Sequence, residues 1–233
     1  MILGVPAVLF GRIPNKMSQE EFDRLRASAE VLEQDQHGIK VMRLADGDML
    51  KLFRVKRWWS SARWMPYSLR FCRNAQKLVQ LGIPTLKVKS VYRLPDSRWT
   101  AVIYHPLSGS TLRQIAENGR LPLELIAKLA IFVSNLHKRG IYFRSLHLGN
   151  IVQTPEGELG LIDVADMAFD RDALGFLKTR RNLKRLCRLE VDRKCIGTIG
   201  WQCFVKSYCD ARHFNSRFYP WISASVLRLY GIN

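Results

Sequence analysis

Asn150 and Asp163 are the two residues around which a chemistry can be built. Asn150 closes the run Arg144-Ser145-Leu146-His147-Leu148-Gly149-Asn150, and Asp163 follows thirteen residues later, after the apolar pair Leu161-Ile162. One amide oxygen and one carboxylate are hard ligands, and Mg²⁺ takes one or two such protein groups while it keeps waters and phosphate oxygens. Phosphoryl transfer from a nucleotide needs little more: a lysine on the phosphates, the metal ligands and a group that orients the attacking hydroxyl. Lys51, inside the apolar run Met49-Leu50-Lys51-Leu52-Phe53, is the candidate phosphate lysine. His147 is a candidate base, because neutral imidazole titrates near pH ~6.5. Each residue also has a plainer reading. Asn150 fits a turn, Asp163 a strand-end cap, Lys51 an exposed strand, and Arg144 a pairing within its own loop. The spacing of Asn150 and Asp163 favours the metal reading over the plain ones.

These residues carry a family resemblance. The protein-kinase loop reads H-R-D-L-x-x-x-N, and this chain has Phe143-Arg144-Ser145-Leu146 with Asn150 at the matching place. The ending Leu146-His147-Leu148-Gly149-Asn150 resembles the aminoglycoside and choline kinases, where D-L-H-x-x-N is common. Leu161-Ile162-Asp163-Val164-Ala165 is similar to the D-F-G strand end, and Met49-Leu50-Lys51-Leu52-Phe53 to the V-A-I-K strand. Within such folds the chain most resembles the bacterial lipopolysaccharide core kinases. The matching segments are Leu50-Lys51-Leu52-Phe53-Arg54, Arg73-Asn74-Ala75 and the basic stretch 179–188. The resemblance covers roughly residues 31–190.

The resemblance implies an α+β, bilobal protein-kinase-like fold with ATP and Mg²⁺ as cofactors. Asn150 and Asp163 would hold the metal, and Lys51 the phosphates. Tyr104, His105 and Leu107 would lie at the hinge that contacts adenine, and Arg144, Ser145 and His147 in the catalytic loop. It also implies phosphorylation of a heptose or related sugar on nascent lipopolysaccharide, an anionic substrate at the inner face of the inner membrane. Three departures stand out. Ser145 occupies the catalytic Asp position, and a neutral serine cannot accept the substrate proton as a carboxylate does. The helix expected over 68–81 contains no Glu, and Asn74 stands near the place of the usual lysine partner. No G-x-G-x-x-G precedes Lys51. The second reading is therefore a pseudokinase that binds nucleotide or a partner without transferring phosphate.

Local patterns supply the elements that must position these groups. Ser18-Gln19-Glu20-Glu21 is a capping box, and Phe22, Leu25, Ala29 and Leu32 continue at helical spacing, which predicts a helix over 18–31. Strands are expected over 38–44 and 49–54, joined by a turn at Asp46-Gly47. A basic, Trp-rich loop (Trp58, Trp59, Trp64) should follow. Next comes the helix over 68–81, with Leu69, Cys72, Ala75, Leu78 and Val79 inward and Gly82 as its stop. Strands over 86–93 and 99–104 flank Pro95-Asp96. Beyond these, a short helix over 111–117 and a long helix from Pro122 to Gly140 are expected. A hairpin of 151–153 with 159–164 and a helical tail from Asp172 complete the pattern. The division is an N-terminal lobe of residues 1–107 and a helical lobe of residues 108–233.

Composition narrows the partners. Of 233 residues, 37 are Lys or Arg and 20 are Asp or Glu, a net charge of +17 that favours a polyanionic partner. Between Met49 and Pro95 stand eleven basic residues and no acid. No nucleic-acid reading motif accompanies the charge, so nucleic acid is not the expected partner. Anionic substrate and an anionic membrane surface are. The five cysteines contain no C-x-x-C pair, which argues against a disulfide framework or a zinc site and for reduced thiols. No basic leader precedes the apolar residues 1–11, and no apolar run is long enough to span a bilayer. The expected location is cytoplasmic, peripheral on the inner membrane.

Overall fold

The structure is a computed structural model that describes residues 15–36, 38–54, 66–117 and 119–213. The Trp-rich loop at 55–65 and the apolar N-terminus lie outside the described residues. The chain divides into two compact units, Met1–Pro106 and Leu107–Asn233. The first is β-rich and the second mainly helical, the α+β plan expected from the sequence.

In the first unit β1 (Asn15–Lys16), β2 (Glu30–Asp35), β3 (Gly38–Arg43), β4 (Met49–Arg54), β5 (Lys87–Arg93) and β6 (Trp99–His105) form one sheet in the order β1-β5-β6-β4-β3-β2. All neighbours are antiparallel except β1 with β5. Helix α1 (Gln19–Ala27) precedes β2, and α2 (Tyr67–Gln80) lies between β4 and β5. Five antiparallel strands with one inserted helix make up the β-rich first half expected from the sequence.

Two-residue alternation sorts the sheet into faces. Leu50 is buried in a cluster with Met17, Met42, Leu44, Leu94 and Ala101, against which Phe22 and Leu25 of α1 and Leu52 pack. Their neighbours Lys51 and Phe53 face α2, where the Phe53 and Phe71 rings lie 5.4 Å apart. The inward face of α2 is Phe71, Cys72, Asn74, Ala75 and Leu78, and Ser68 is buried with them. Val79, expected inward, is 49% exposed, because the buried set repeats from Phe71 and turns Val79 away.

The first helix is shorter than expected. The Ser18–Glu21 capping box is present, but α1 ends at Ala27, and Leu32 belongs to β2. All six residues of β2 are exposed, so this edge strand shows none of the alternation that reveals a half-buried strand. Its helix-compatible spacing won on the sequence; pairing with β3 won in the fold.

The second unit contains β7 (Ser110–Thr111), α3 (Leu112–Ile115), α4 (Leu123–Lys138), β8 (Ile141–Phe143), β9 (Ile151–Gln153), β10 (Leu159–Leu161), β11 (Met167–Phe169), α5 (Phe176–Leu186) and α6 (Glu190–Arg212). The strands pair as β10-β9-β7 and β11-β8. The core lies between α4 and α6. Ile126, Leu129, Ala130 and Val133 are fully buried with Trp201, Phe204 and Tyr208. Each aliphatic side chain larger than alanine among them contributes roughly 1.5–3 kcal/mol by leaving water. Helix α6 breaks at Gly197 (φ 66°), and the Cys195 carbonyl accepts from the Leu121 amide, 2.9 Å. Helix α4 stops at Gly140 (φ +70°), where a Cβ would stand 2.5 Å from the Asp172 carbonyl oxygen and 2.6 Å from that of Asp170. The turn at Gly140 sends the chain directly into β8 and the segment of interest.

Candidate active site

Strand β8 delivers Phe143, and the next three residues form a tight turn in which the Leu146 amide donates to the Phe143 carbonyl, 3.2 Å. Arg144 and Ser145 are the two central residues of that turn. Leu148–Asn150 then make a 3₁₀ turn, with the Asn150 amide bonded to the His147 carbonyl at 2.9 Å. The Asn150 side chain reaches back: its Nδ2 donates to the Ser145 carbonyl at 2.9 Å. That bond orients the amide and leaves Oδ1 as the acceptor end. Across β9 and β10, the Ile162 amide donates to the Asn150 carbonyl at 3.0 Å, so the backbone beside Asp163 is tied to Asn150.

Asp163 has a left-handed backbone (φ 52°, ψ 48°) and makes no side-chain cap on the short turn Val164–Asp166 that follows. For a non-glycine residue that conformation is uncommon and concentrates at functional sites. Asn150 and Asp163 together offer an amide oxygen and a carboxylate on adjoining backbone, a donor set that fits Mg²⁺ with phosphate oxygens completing the shell. Among the described residues no group of three or more His, Cys, Asp or Glu could hold a metal, so a zinc-type cage is not an alternative.

Three buttresses hold the loop from below. Asp192, fully buried at the start of α6, accepts from Arg113 Nε at 2.8 Å and from the Leu148 amide at 3.0 Å. Gly149 permits this arrangement: a Cβ there would lie 2.9 Å from Arg113 Nη1 and 3.2 Å from His147 Nδ1. Asn182 of α5 donates through Nδ2 to the Phe143 carbonyl at 2.5 Å. Its Oδ1 accepts from His137 Nε2 at 2.9 Å, and Tyr208 donates to His137 Nδ1 at 2.7 Å. Burial pushes His137 down to about 4, so the ring is neutral and the donor sequence Tyr208 to His137 to Asn182 to Phe143 is consistent. The third buttress is Arg144, whose backbone amide meets the Asp166 carbonyl at 3.0 Å and whose guanidinium lies 3.5 Å from the Asp166 carboxylate. Arg144 therefore pairs with Asp166, 22 residues on, and not within its own loop as one sequence reading expected.

His147 is half-buried, and among the described residues its Nδ1 has no hydrogen-bond partner. Desolvation, with the Arg113 charge second, lowers its pKa below the ordinary value, so the ring is neutral near pH 7. Ser145 contributes its carbonyl to the loop.

In the first unit Lys51 Nζ sits 5.6 Å from the Phe71 ring centroid and 5.7 Å from that of Phe53. Cation–π contact of this kind holds an ammonium while leaving it charged. Tyr104 packs edge-on against Phe71, 5.4 Å between centroids. The His105 Nδ1 lies 3.1 Å from Oδ1 of the buried Asp48, which also pairs with Lys89. Burial disfavours the Asp48 carboxylate, but hydrogen bonds from Lys89 and His105 outweigh it and hold the carboxyl below its usual range. Leu107 is the first residue of the second unit. The structure thus brings Arg144, Ser145, His147, Asn150 and Asp163 together in one unit. Lys51, Tyr104 and His105 stand in the other. Asp192, Arg113, Asn182 and His137 were not singled out by the sequence, where nothing local marks them.

No family model matches the chain, and no curated protein matches it. Among solved structures it is similar to a divergent kinase lacking the glycine-rich loop, one that regulates membrane ultrastructure of the Toxoplasma parasitophorous vacuole. The two share 16% identity over 93% of this chain and 70% of that one, with a TM-score of 0.44.

Proposed function

We propose that the chain is an ATP-dependent kinase that phosphorylates a heptose or related sugar hydroxyl of the lipopolysaccharide inner core at the cytoplasmic membrane face. The observation that carries the kinase reading is the Asn150 side chain bonded to the Ser145 carbonyl, with its backbone bonded to Ile162 beside Asp163. In this reading Asn150 Oδ1 and the Asp163 carboxylate hold Mg²⁺, which when bound neutralises phosphate charge. Lys51 holds phosphate oxygens of ATP, and Tyr104, His105 and Leu107 line the hinge segment. His147, held neutral by desolvation, takes the hydroxyl proton through Nε2 in place of the missing carboxylate, because its Nδ1 is buried. The anionic sugar substrate is supported by the net charge of +17 and by the sequence resemblance.

A second reading rests on Ser145. With no carboxylate at that position, the same metal and nucleotide groups would serve a pseudokinase that binds without transfer. Mass spectrometry of lipopolysaccharide from cells with and without the gene separates the two. A difference of one phosphate, lost again in the Asp163→Ala variant, supports the kinase. Identical masses, together with Mg-ATP binding by the purified chain, support the pseudokinase. Full transfer activity in Asp163→Ala removes the assignment of the metal site.

A further inference from the structure

Helix α5 has two faces of different character. Thr179, Asn182, Leu183 and Leu186 are buried. The opposite face carries Leu177, Arg181, Lys184 and Arg185, which at 3.6 residues per turn fall within an arc of roughly 100°. Arg188 follows just after the helix, and all five are exposed. Lys178 is neutralised by Asp170, at 2.6 and 2.7 Å. Among the described residues no carboxylate pairs with Arg181, Lys184, Arg185 or Arg188. The first turn of the helix adds two adjacent large apolar side chains in water, Phe176 at 43% and Leu177 at 63% exposure.

We propose that the outer face of α5 is a docking surface for an anionic phospholipid bilayer, with Phe176 and Leu177 entering the headgroup boundary and Arg181, Lys184, Arg185 and Arg188 meeting lipid phosphates. This deepens the reading above, on which its membrane location rests. A helix with exposed apolar residues in its first turn, Leu177 on the same side as the unpaired cations and Phe176 beside it at the helix start, suits an interface that is apolar below and anionic above. Nucleic acid would use the cations and leave Leu177, the more exposed of the apolar pair, without a role. The inner face of the same helix supplies Asn182 to the Phe143 carbonyl, 2.5 Å. The bilayer-facing surface and the turn that carries Ser145 are therefore joined through one side chain.

The test uses the full chain with vesicles of phosphatidylcholine alone or with phosphatidylglycerol, without nucleotide or acceptor, read by co-sedimentation. Binding should require phosphatidylglycerol and weaken with salt. Each cation near an anionic surface is worth about fivefold in binding. Replacing Arg181, Lys184, Arg185 and Arg188 by Gln should therefore lower partitioning by about a hundredfold or more. The control replaces four exposed cations of the first unit, Lys16, Arg24, Arg26 and Lys87, by Gln, and should lower it by no more than about threefold. Leu177→Ser, which keeps every charge, should weaken binding about tenfold and serves if the quadruple variant fails to fold. Equal losses in the two quadruple variants would overturn the proposal, since charge alone would then explain binding. So would Leu177→Ser binding like the parent. An α5 variant that loses duplex RNA binding while keeping vesicle binding would assign the face to nucleic acid instead. A chain that docks in this way but never transfers phosphate leaves the surface standing and removes the kinase reading.

Discussion

Asp192 is the residue whose removal should most damage the loop without touching any reacting group. Its carboxylate is fully buried and accepts two bonds, from Arg113 Nε at 2.8 Å and from the Leu148 amide at 3.0 Å. In Asp192→Ala the guanidinium loses its counter-charge. Breaking a fully buried ion pair costs about 3–5 kcal/mol. The Arg113 side chain is 32% exposed, so water recovers part of its charge and the lower end, about 3 kcal/mol, applies. The Leu148 amide, left without an acceptor, adds about 1 kcal/mol. A total near ~4 kcal/mol lowers a urea midpoint by more than about 1 M at a slope of ~3 kcal/mol/M. Arg113→Ala strands the carboxylate with one amide donor and should cost about 3 kcal/mol. The double variant removes both charges, so the two effects should fall short of adding by about 2 kcal/mol. Amide exchange gives a second, local readout: Leu148 N–H should exchange faster in Asp192→Ala. Additivity within about 0.5 kcal/mol, or an unchanged Leu148 exchange rate, would refute the claim that this pair braces the loop.

Four further outcomes follow from the same geometry. Lys51→Met should weaken Mg-ATP binding or turnover at least about tenfold with little change in melting temperature, measured by titration calorimetry and thermal unfolding. Ser145→Asp restores a carboxylate in the turn and should raise phosphate transfer about tenfold or more; no gain would mean that His147 already suffices as base. His137 is buried neutral with its pKa at about 4, against an ordinary 6.5. The unfolded chain takes the proton first as pH falls, so the His137 contribution is complete above pH ~6.5 and lost progressively down to ~4, up to about 3 kcal/mol. Urea unfolding across that range should show the slope, and His137→Gln should flatten it. Gly140→Ala forces a Cβ into two backbone carbonyls at a positive φ and should destabilise by more than about 2 kcal/mol, seen as a lower urea midpoint.

The parts of this molecule that were legible in the sequence are those whose causes are local. Ser18 and Glu21 cap α1 within three residues of each other. The β3–β4 turn at Asp46-Gly47 and the Asn150-to-Asp163 hairpin span one turn each. Lys51 could be placed because alternation along β4 fixes its face once Leu50 is inward. The illegible parts depend on distant partners. Arg113 meets Asp192 across 79 residues, Leu148 meets it across 44, and Asn182 meets Phe143 across 39. No periodicity marks a lone buried Asp near the start of a helix, so the buttressing of the loop is a property of packing. Strand β2 failed for the opposite reason: it is so exposed that it has no inward face to announce.

The buttresses also change what Ser145 means. Asn150 binds the carbonyl of residue 145, and Leu146 and Asn182 both bind the carbonyl of Phe143. Every one of these bonds uses backbone of the turn, so its shape does not require an aspartate at position 145. A serine there therefore removes a proton acceptor without unmaking the loop that presents Asn150 and Asp163. On the proposed kinase reading, metal holding and proton acceptance become separable functions of one segment. Asp163→Ala should abolish the first and leave the turn intact. Ser145→Asp should alter the second and leave metal affinity within about threefold. If Ser145→Asp instead unfolded the loop, exposing Leu148 to exchange, the side chain at 145 would be structural and the separation would fail.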